Sequence, residues 1–146
     1  MQTTLNLSGQ LTLTVKERGN VILHETLPNM IVNTGYAVVA NALTSNNSNF
    51  ITILQVGENP APPQAGDIRI QNAATVPFSS VTVNNFSVQF DFMMNANAAN
   101  DLKIVEFGLV TANGNLFSRL VRKEIIHKTD QIEIIGSWLI NFKTDN

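Results

Sequence analysis

The 146-residue sequence predicts a mainly β protein, a single antiparallel β-sandwich or jelly-roll-like domain spanning 1–146, with one short α-helix at about 34–44. Three observations lead there. Two long segments alternate apolar and polar residues with period 2, the pattern of strands with one face in a core and one in water. Turn-forming residues recur at short intervals between such segments. A single stretch breaks into helical spacing.

Taken in order, MQTTLNLSGQ has no basic segment followed by an apolar one, so no secretory signal is expected. LTLTV places Leu11, Leu13 and Val15 on one face. Glu17, Arg18, Gly19 and Asn20 then supply turn chemistry, with Gly19-Asn20 suited to the positive φ angles of a tight hairpin, and VILHETL returns. This hairpin, 10–27, is a candidate arm for contacts between subunits.

In NTGYAVVANAL, Tyr36, Val39, Ala40 and Leu43 fall at i, i+3, i+4 and i+7, one face of a helix that Asn33 or Thr34 would cap and SNNSN would end. FITILQV, from Phe50 to Val56, is almost wholly apolar and reads as a strand covered on both faces. GENPAPPQAGD, Gly57 to Asp67, contains Pro60, Pro62 and Pro63 and should form an extended, stiff surface loop. RIQNA and SSVTV are weaker strand candidates.

NFSVQFDFMM puts Phe86, Val88, Phe90, Phe92 and Met94 on one face, and NANAAND is a second small-polar loop. IVEFGLVTANGNLFSRLV reads as a hairpin, with Asn113-Gly114 as a two-residue turn between strands at Glu106 to Val110 and Leu116 to Val121. QIEIIGSWLINFK aligns Ile132, Ile134, Trp138, Ile140 and Phe142, with a gap at Gly136 that makes room for a large neighbour. Ile135 and Leu139 join Glu133, Ser137, Asn141 and Lys143 on the other face.

Composition narrows the function classes. Hydrophobic residues make up 44% and charged ones 14%, well below the usual quarter, which argues against disorder and favours close contact with neighbours. Net charge is −2, and the basic residues are scattered apart from Arg119, Arg122 and Lys123, so a nucleic-acid partner is not expected. Cysteine is absent, which removes disulfides, thiolate metal sites and cysteine nucleophiles. No apolar run approaches the roughly 20 residues that span a bilayer. A soluble protein made in a cytoplasm is the expectation, with no membrane partner.

No catalytic constellation, metal site or cofactor site is visible. His24 and His127 have no second ligand at a metal spacing. The elbow G-x-S-x-G is missing, and GSW at Gly136 lies within a strand. The Pro-rich loop lacks the Lys-Ser/Thr ending of a phosphate cradle. Asp91, Asp101, Glu124, Asp130 and Glu133 fall at polar strand positions or turns, where carboxylates belong. Glu106 is different, because IVEFGLV is otherwise apolar. A buried Glu can serve as a catalytic acid, but Arg119 on the facing strand reads better as its ion-pair partner. Asn-X-Ser triplets at Asn6, Asn46 and Asn85 match the glycosylation pattern; with no signal peptide, and two of them within expected strands, they read as chance. Tyr36 and Trp138 leave a glycan ligand open, without support for one.

Three segments in order resemble a family of small virion proteins of tailed bacteriophages. They are LPNMIVNTGYAVVANAL, ITILQVGENPAPPQAGD, and IVEFGLVTANGNLFSRLV with IIHKTDQIEIIGSWLINF. The similarity lies in an I-V-N-x-G opening to a helix (Ile31, Asn33, Gly35) and an apolar strand ending at Val56-Gly57. It continues in an E-x-G-L hairpin (Glu106, Gly108, Leu109) with the return Leu116, Phe117, Arg119. A Lys128-Thr129 turn then leads into Trp138, Ile140 and Phe142. VGEN departs from the family's Gly-Thr-Gly run, which leaves the local loop shape open.

The resemblance implies a non-enzymatic structural protein located in the virion after synthesis in the bacterial host cytoplasm. It further implies a homo-oligomer, a trimer being one form, that contacts other virion proteins such as the major capsid protein. Short length and the absence of heptads or repeats favour a capsid decoration or cement protein over a tail, baseplate or fibre accessory, or a receptor- or glycan-binding module. The Pro-rich loop, with Gly57, Pro60, Pro62, Pro63 and Asp67, is the candidate contact surface. An enzyme reading would rest on Glu106 alone.

Overall fold

The computed structural model describes residues 6–44 and 48–142. Among these residues, nine strands form one nearly closed antiparallel sheet, a β-sandwich or barrel-like arrangement, accompanied by one helix. In chain order they are β1 (Ser8–Glu17), β2 (Asn20–Pro28), β3 (Met30–Ile31), α1 (Asn33–Ala42), β4 (Ile51–Gly57), β5 (Ala74–Asn84), β6 (Ser87–Met94), β7 (Lys103–Thr111), β8 (Leu116–His127) and β9 (Ile132–Asn141). The order across the sheet is β2-β1-β9-β6-β5-β4-β7-β8-β3.

Strand β5 belongs to both halves. Ala74 to Pro77 pair with β4, and Phe78 to Asn84 pair with β6. The sheet therefore folds over at β5, and its two inner faces meet in one apolar cluster. Leu11, Leu13 and Val15 of β1, Phe90, Phe92 and Met94 of β6, and Ile132, Ile134, Trp138 and Ile140 of β9 come from one half. Leu54 and Val56 of β4, Phe107 and Leu109 of β7, and Phe117 and Leu120 of β8 come from the other. Except in β8, where a register shift opposite Leu109 and Val110 lets both Phe117 and Leu120 reach the core, these are the alternate residues of period-2 segments, as burial of one face requires. In β9 the gap at Gly136 has a definite cause: a Cβ there would overlap the Phe92 ring of β6, which lies opposite it.

Several details differ from the sequence reading. The first turn uses Arg18 and Gly19, at φ 49° and 84°, with Glu17 opposite Asn20; the positive angles fall one residue earlier than expected. The hairpin at 10–27 is part of the sheet: β1 lies between β2 and β9 and carries core residues. The helix starts after Val32 with no side-chain cap, since Asn33 is already helical and the Thr34 hydroxyl donates to the Leu116 carbonyl.

Its inward face is also different. Gly35 is buried, Val38 and Val39 are half-buried against the core, and Tyr36, Ala40 and Leu43 face outward. Gly35 lies so close to the Phe117 carbonyl that a Cβ would overlap it, so the helix rests on β8 through its backbone. RIQNA is loop rather than strand, with Ile70 buried beneath Val110 and Leu116. Phe50 is largely exposed and β4 is only partly covered. Asn6 and Asn85 lie outside strands, Asn85 in the β5–β6 turn at φ 54°. Asn46, most of the SNNSN segment and Lys143 lie outside the described residues.

Replacing Gly136 with Ala is expected to destabilise the fold by about 1–3 kcal/mol through overpacking. In urea unfolding, Phe92→Leu added to Gly136→Ala should recover part of that loss, a non-additivity expected only of side chains in contact.

Candidate functional site

Glu106 and Arg119 stand on the neighbouring strands β7 and β8. Glu106 is opposite Val121 and Arg119 is opposite Gly108, so the two side chains meet diagonally on one face. Arg119 Nε donates to Glu106 Oε2 at 2.9 Å, and both side chains are buried, at 2% and 0% exposure. The remaining polar atoms of the pair hold the Pro-rich loop. Arg119 Nη1 reaches Asp67 Oδ2 at 3.0 Å, and Nη2 donates to the Asn59 carbonyl at 3.2 Å. Glu106 Oε1 accepts the backbone N–H of Asn59 at 3.1 Å and of Gln71 at 3.0 Å. Asp67 in turn accepts the Gln64 N–H at 2.9 Å.

Two glycines make this approach feasible. A Cβ on Gly57 would sit 2.5 Å from both Glu106 Oε1 and the Gln71 carbonyl, and one on Gly108 would overlap the Ile70 side chain. Gly57, Asp67, Glu106, Gly108 and Arg119 thus converge on one cluster, and Glu106 has its charge and both oxygens engaged internally. Pro60 and Pro62 are exposed on the outer side of the clamped loop, and Pro63 is half-buried. Asn59, Gln71 and Ile70 were not singled out by sequence; two of them act through backbone amides, which leave no side-chain signature.

Asn113 and Gly114 lie at the hairpin's other end and take no part in the cluster. The turn is longer than the expected two residues. Thr111 N–H donates to the Asn115 carbonyl and Gly114 N–H to the Thr111 carbonyl, both at 2.9 Å. This leaves a three-residue loop in which Gly114 alone takes positive φ, at 83°, the usual form of a type I turn followed by a left-handed glycine. Asn113 instead donates its N–H to Asn49 Oδ1 at 3.0 Å, and Asn49 Nδ2 donates to Asn115 Oδ1 at 2.8 Å.

A further buried ion is Lys128, in the Lys-Thr turn. Its Nζ donates to Asn100 Oδ1 and to the Thr129 carbonyl, each at 2.8 Å. Its backbone pairs with Leu102 and Asp101, which fixes the loop at 95–101. Burial lowers the Lys128 pKa below the ordinary 10.5, and the nearby charges of Asp130 and Glu133 offset that only in part. At Asp91, burial raises the pKa, but hydrogen bonds from Ser137, Ser80 and Gln89 together outweigh it and hold the carboxyl below its usual value.

The other sequence candidates are dispersed. Arg122 pairs with Glu25 and donates to the Glu124 carbonyl, so it forms no basic patch with Lys123. His24 shares a hydrogen bond with Thr14 at 2.9 Å on the exposed face of β2. Among the described residues no group of three His, Cys, Asp or Glu lies close enough together to hold a metal ion. Trp138 is fully buried and has no surface to offer a glycan, whereas Tyr36 is exposed. No protein-family model, curated protein or solved structure matches the chain.

Glu106→Gln leaves Arg119 short of a buried counter-charge and is expected to cost about 3 kcal/mol, the scale for breaking a buried pair. Denaturant titration should find the double change Glu106→Gln with Arg119→Met less costly than the sum of the singles.

For Lys128 the sign follows from linkage. A lysine whose folded pKa is lowered binds more protons when unfolded, so stability rises as pH climbs from the folded value toward 10.5. Unfolding curves at increasing alkaline pH should therefore show the wild type gaining stability relative to Lys128→Met.

Proposed function

We propose that this chain is a non-enzymatic structural component of a tailed-phage particle, assembling on the capsid as a decoration or cement protein. The observation that carries the reading is the clamped loop. Residues on which the family resemblance rests, Gly57, Glu106, Gly108 and Arg119, together with Asp67, are spent on holding a Pro-rich segment in one conformation. A loop held in this way loses little entropy on binding, and its outward prolines offer an uncharged contact surface. Glu106, the one residue on which an enzyme reading rested, is saturated by Arg119 and two backbone amides.

In this reading the partners are further copies of the chain and the major capsid protein. Weak contacts, repeated over a symmetric surface, add up to firm attachment. The low charge of the chain keeps the desolvation cost of such contacts small. The site of action is the virion, following synthesis in the host cytoplasm, and neither nucleic acid nor a membrane is a partner.

A second reading, a tail, baseplate or fibre accessory that binds a receptor glycan, has one supporting observation: Tyr36 is exposed on the outer face of the helix.

Purified chain mixed with undecorated capsids should co-sediment with them saturably. Pro60→Asp with Pro62→Asp, placed on the exposed side of the loop, should reduce that binding at least tenfold while leaving the melting transition in place. Absence of capsid binding together with hits on a glycan array that are lost in Tyr36→Ala would replace this reading with the second.

A further inference from the structure

The sheet parts beyond Pro77. β4 and β5 pair only from Ile53 opposite Pro77 to Val56 opposite Ala74. Pro77 has no N–H with which to extend the ladder, and a bulge follows between Phe78 and Ser80. From Phe78 to Asn84, β5 has β6 on one side and, among the described residues, no strand on the other. Val81 and Val83 lie opposite Phe90 and Val88 on the inner face, yet they are 52% and 73% exposed. With β4 unpaired from it here, an apolar cavity of about 310 Å³ opens beside this edge, lined by Val39, Phe50, Val81, Val88, Phe90 and Ile140 among others.

We propose that this open edge of β5 pairs with the same edge of a second copy of the chain, joining the two sheets across a two-fold axis. The strand is complementary to itself. Antiparallel pairing about Thr82 sets Val81 opposite the partner's Val83 on the inner face. On the outer face it sets Ser80 opposite the partner's Asn84 and Thr82 opposite the partner's Thr82. Apolar thus meets apolar, and hydroxyl meets hydroxyl or amide.

Charge points the same way. No charged residue lies between Phe78 and Asn84, so a copy meets no like charge. Proteins commonly guard edge strands with charge or proline. β2, at an end of the sheet, is guarded in this manner: it carries His24, Glu25 and Pro28, and Glu25 is tied to Arg122 of β8. The free part of β5 has no such protection.

A stable pair buries roughly 800 Å² on each partner. The five-residue ladder that this register gives, Ser80 to Asn84, is about 17 Å long and supplies only part of that. Phe50, which lines the cavity, and Leu43, next to cavity-lining Ala42, are 62% and 87% exposed and supply further apolar surface. The pairing goes beyond the particle role and is a property of the isolated chain, so its failure is distinct from a failure to bind capsids.

The test uses the full chain. Sedimentation equilibrium should show a monomer–dimer equilibrium, and Val83→Lys should weaken it at least tenfold with unchanged circular dichroism and melting. Because the chain has no cysteine, Thr82→Cys offers a check on register: mild oxidation should give a disulfide-linked dimer, and Thr26→Cys on β2 should not. A wild-type chain that remains monomeric overturns the proposal. So does a folded Val83→Lys that dimerises as well as wild type, or a crosslink at Thr26→Cys instead of Thr82→Cys. Open-ended growth with concentration would mean head-to-tail pairing with another edge, and capture of an alternating apolar peptide by a monomer would assign the edge to a different protein. Either outcome also overturns it.

Discussion

The contact between Glu106 and Arg119 organises more of this molecule than any other pair of residues. Taking two charges out of water costs several kcal/mol for each ion, and their mutual attraction repays this only when the other polar atoms are also satisfied. Here they are: the carboxylate accepts from two backbone amides and the guanidinium donates to Asp67 and to the Asn59 carbonyl. The pair is therefore best understood as a source of specificity rather than of net stability. It fixes the register of β7 against β8, because a slip of one residue would turn one partner to the opposite face. It also dictates the path of the long segment between β4 and β5, whose Asn59 and Gln71 amides complete the carboxylate's hydrogen bonds.

That path shapes the rest of the sheet. The segment passes over Gly57 and Gly108, drives Ile70 into a small apolar cluster with Val32, Val110 and Leu116, and delivers the chain to the start of β5. Pro77 then stops the ladder with β4. The two halves of the sheet thus stay joined at the clamped end and part beyond it. At β2 and β8 a comparable gap is bridged by Glu25 and Arg122, so the two openings differ in chemistry: one is tied by charge, and the other is lined with hydrocarbon.

Much of this was legible in the sequence because burial of a sheet face imposes a strict period of two. The alternations in β1, β6 and β9 could be read directly, as could the small residue that Phe92 requires at Gly136. The helix was located but its buried side was not, since the residue nearest the sheet is Gly35, which has no side chain to register in an apolar pattern. The first turn was displaced by a residue because glycine announces positive φ while the residue sharing the turn, Arg18, does not. The pairing of Glu106 with Arg119 could be inferred from facing strands of one hairpin. The part played by Asp67 and by the amides of Asn59 and Gln71 could not, because it depends on how a loop returns in three dimensions. β3 and the first half of β5 were missed for a related reason: two residues are too few to show a period, and a proline argues against a strand when read locally.

The position of β9 has a consequence for how the chain reaches this structure. β9 sits between β1 and β6, neither of which adjoins it in sequence. The first hairpin can form early from local contacts, but one half of the sheet has no centre until residues beyond Ile132 arrive. Closing loops of that length before any pairing energy is returned makes the search slow, as in other β proteins dominated by distant contacts. Until then β1 and β6 each carry an unpaired, apolar-faced edge. The interval before β9 docks is consequently one in which exposed apolar strand edges can pair with other chains instead of with β9.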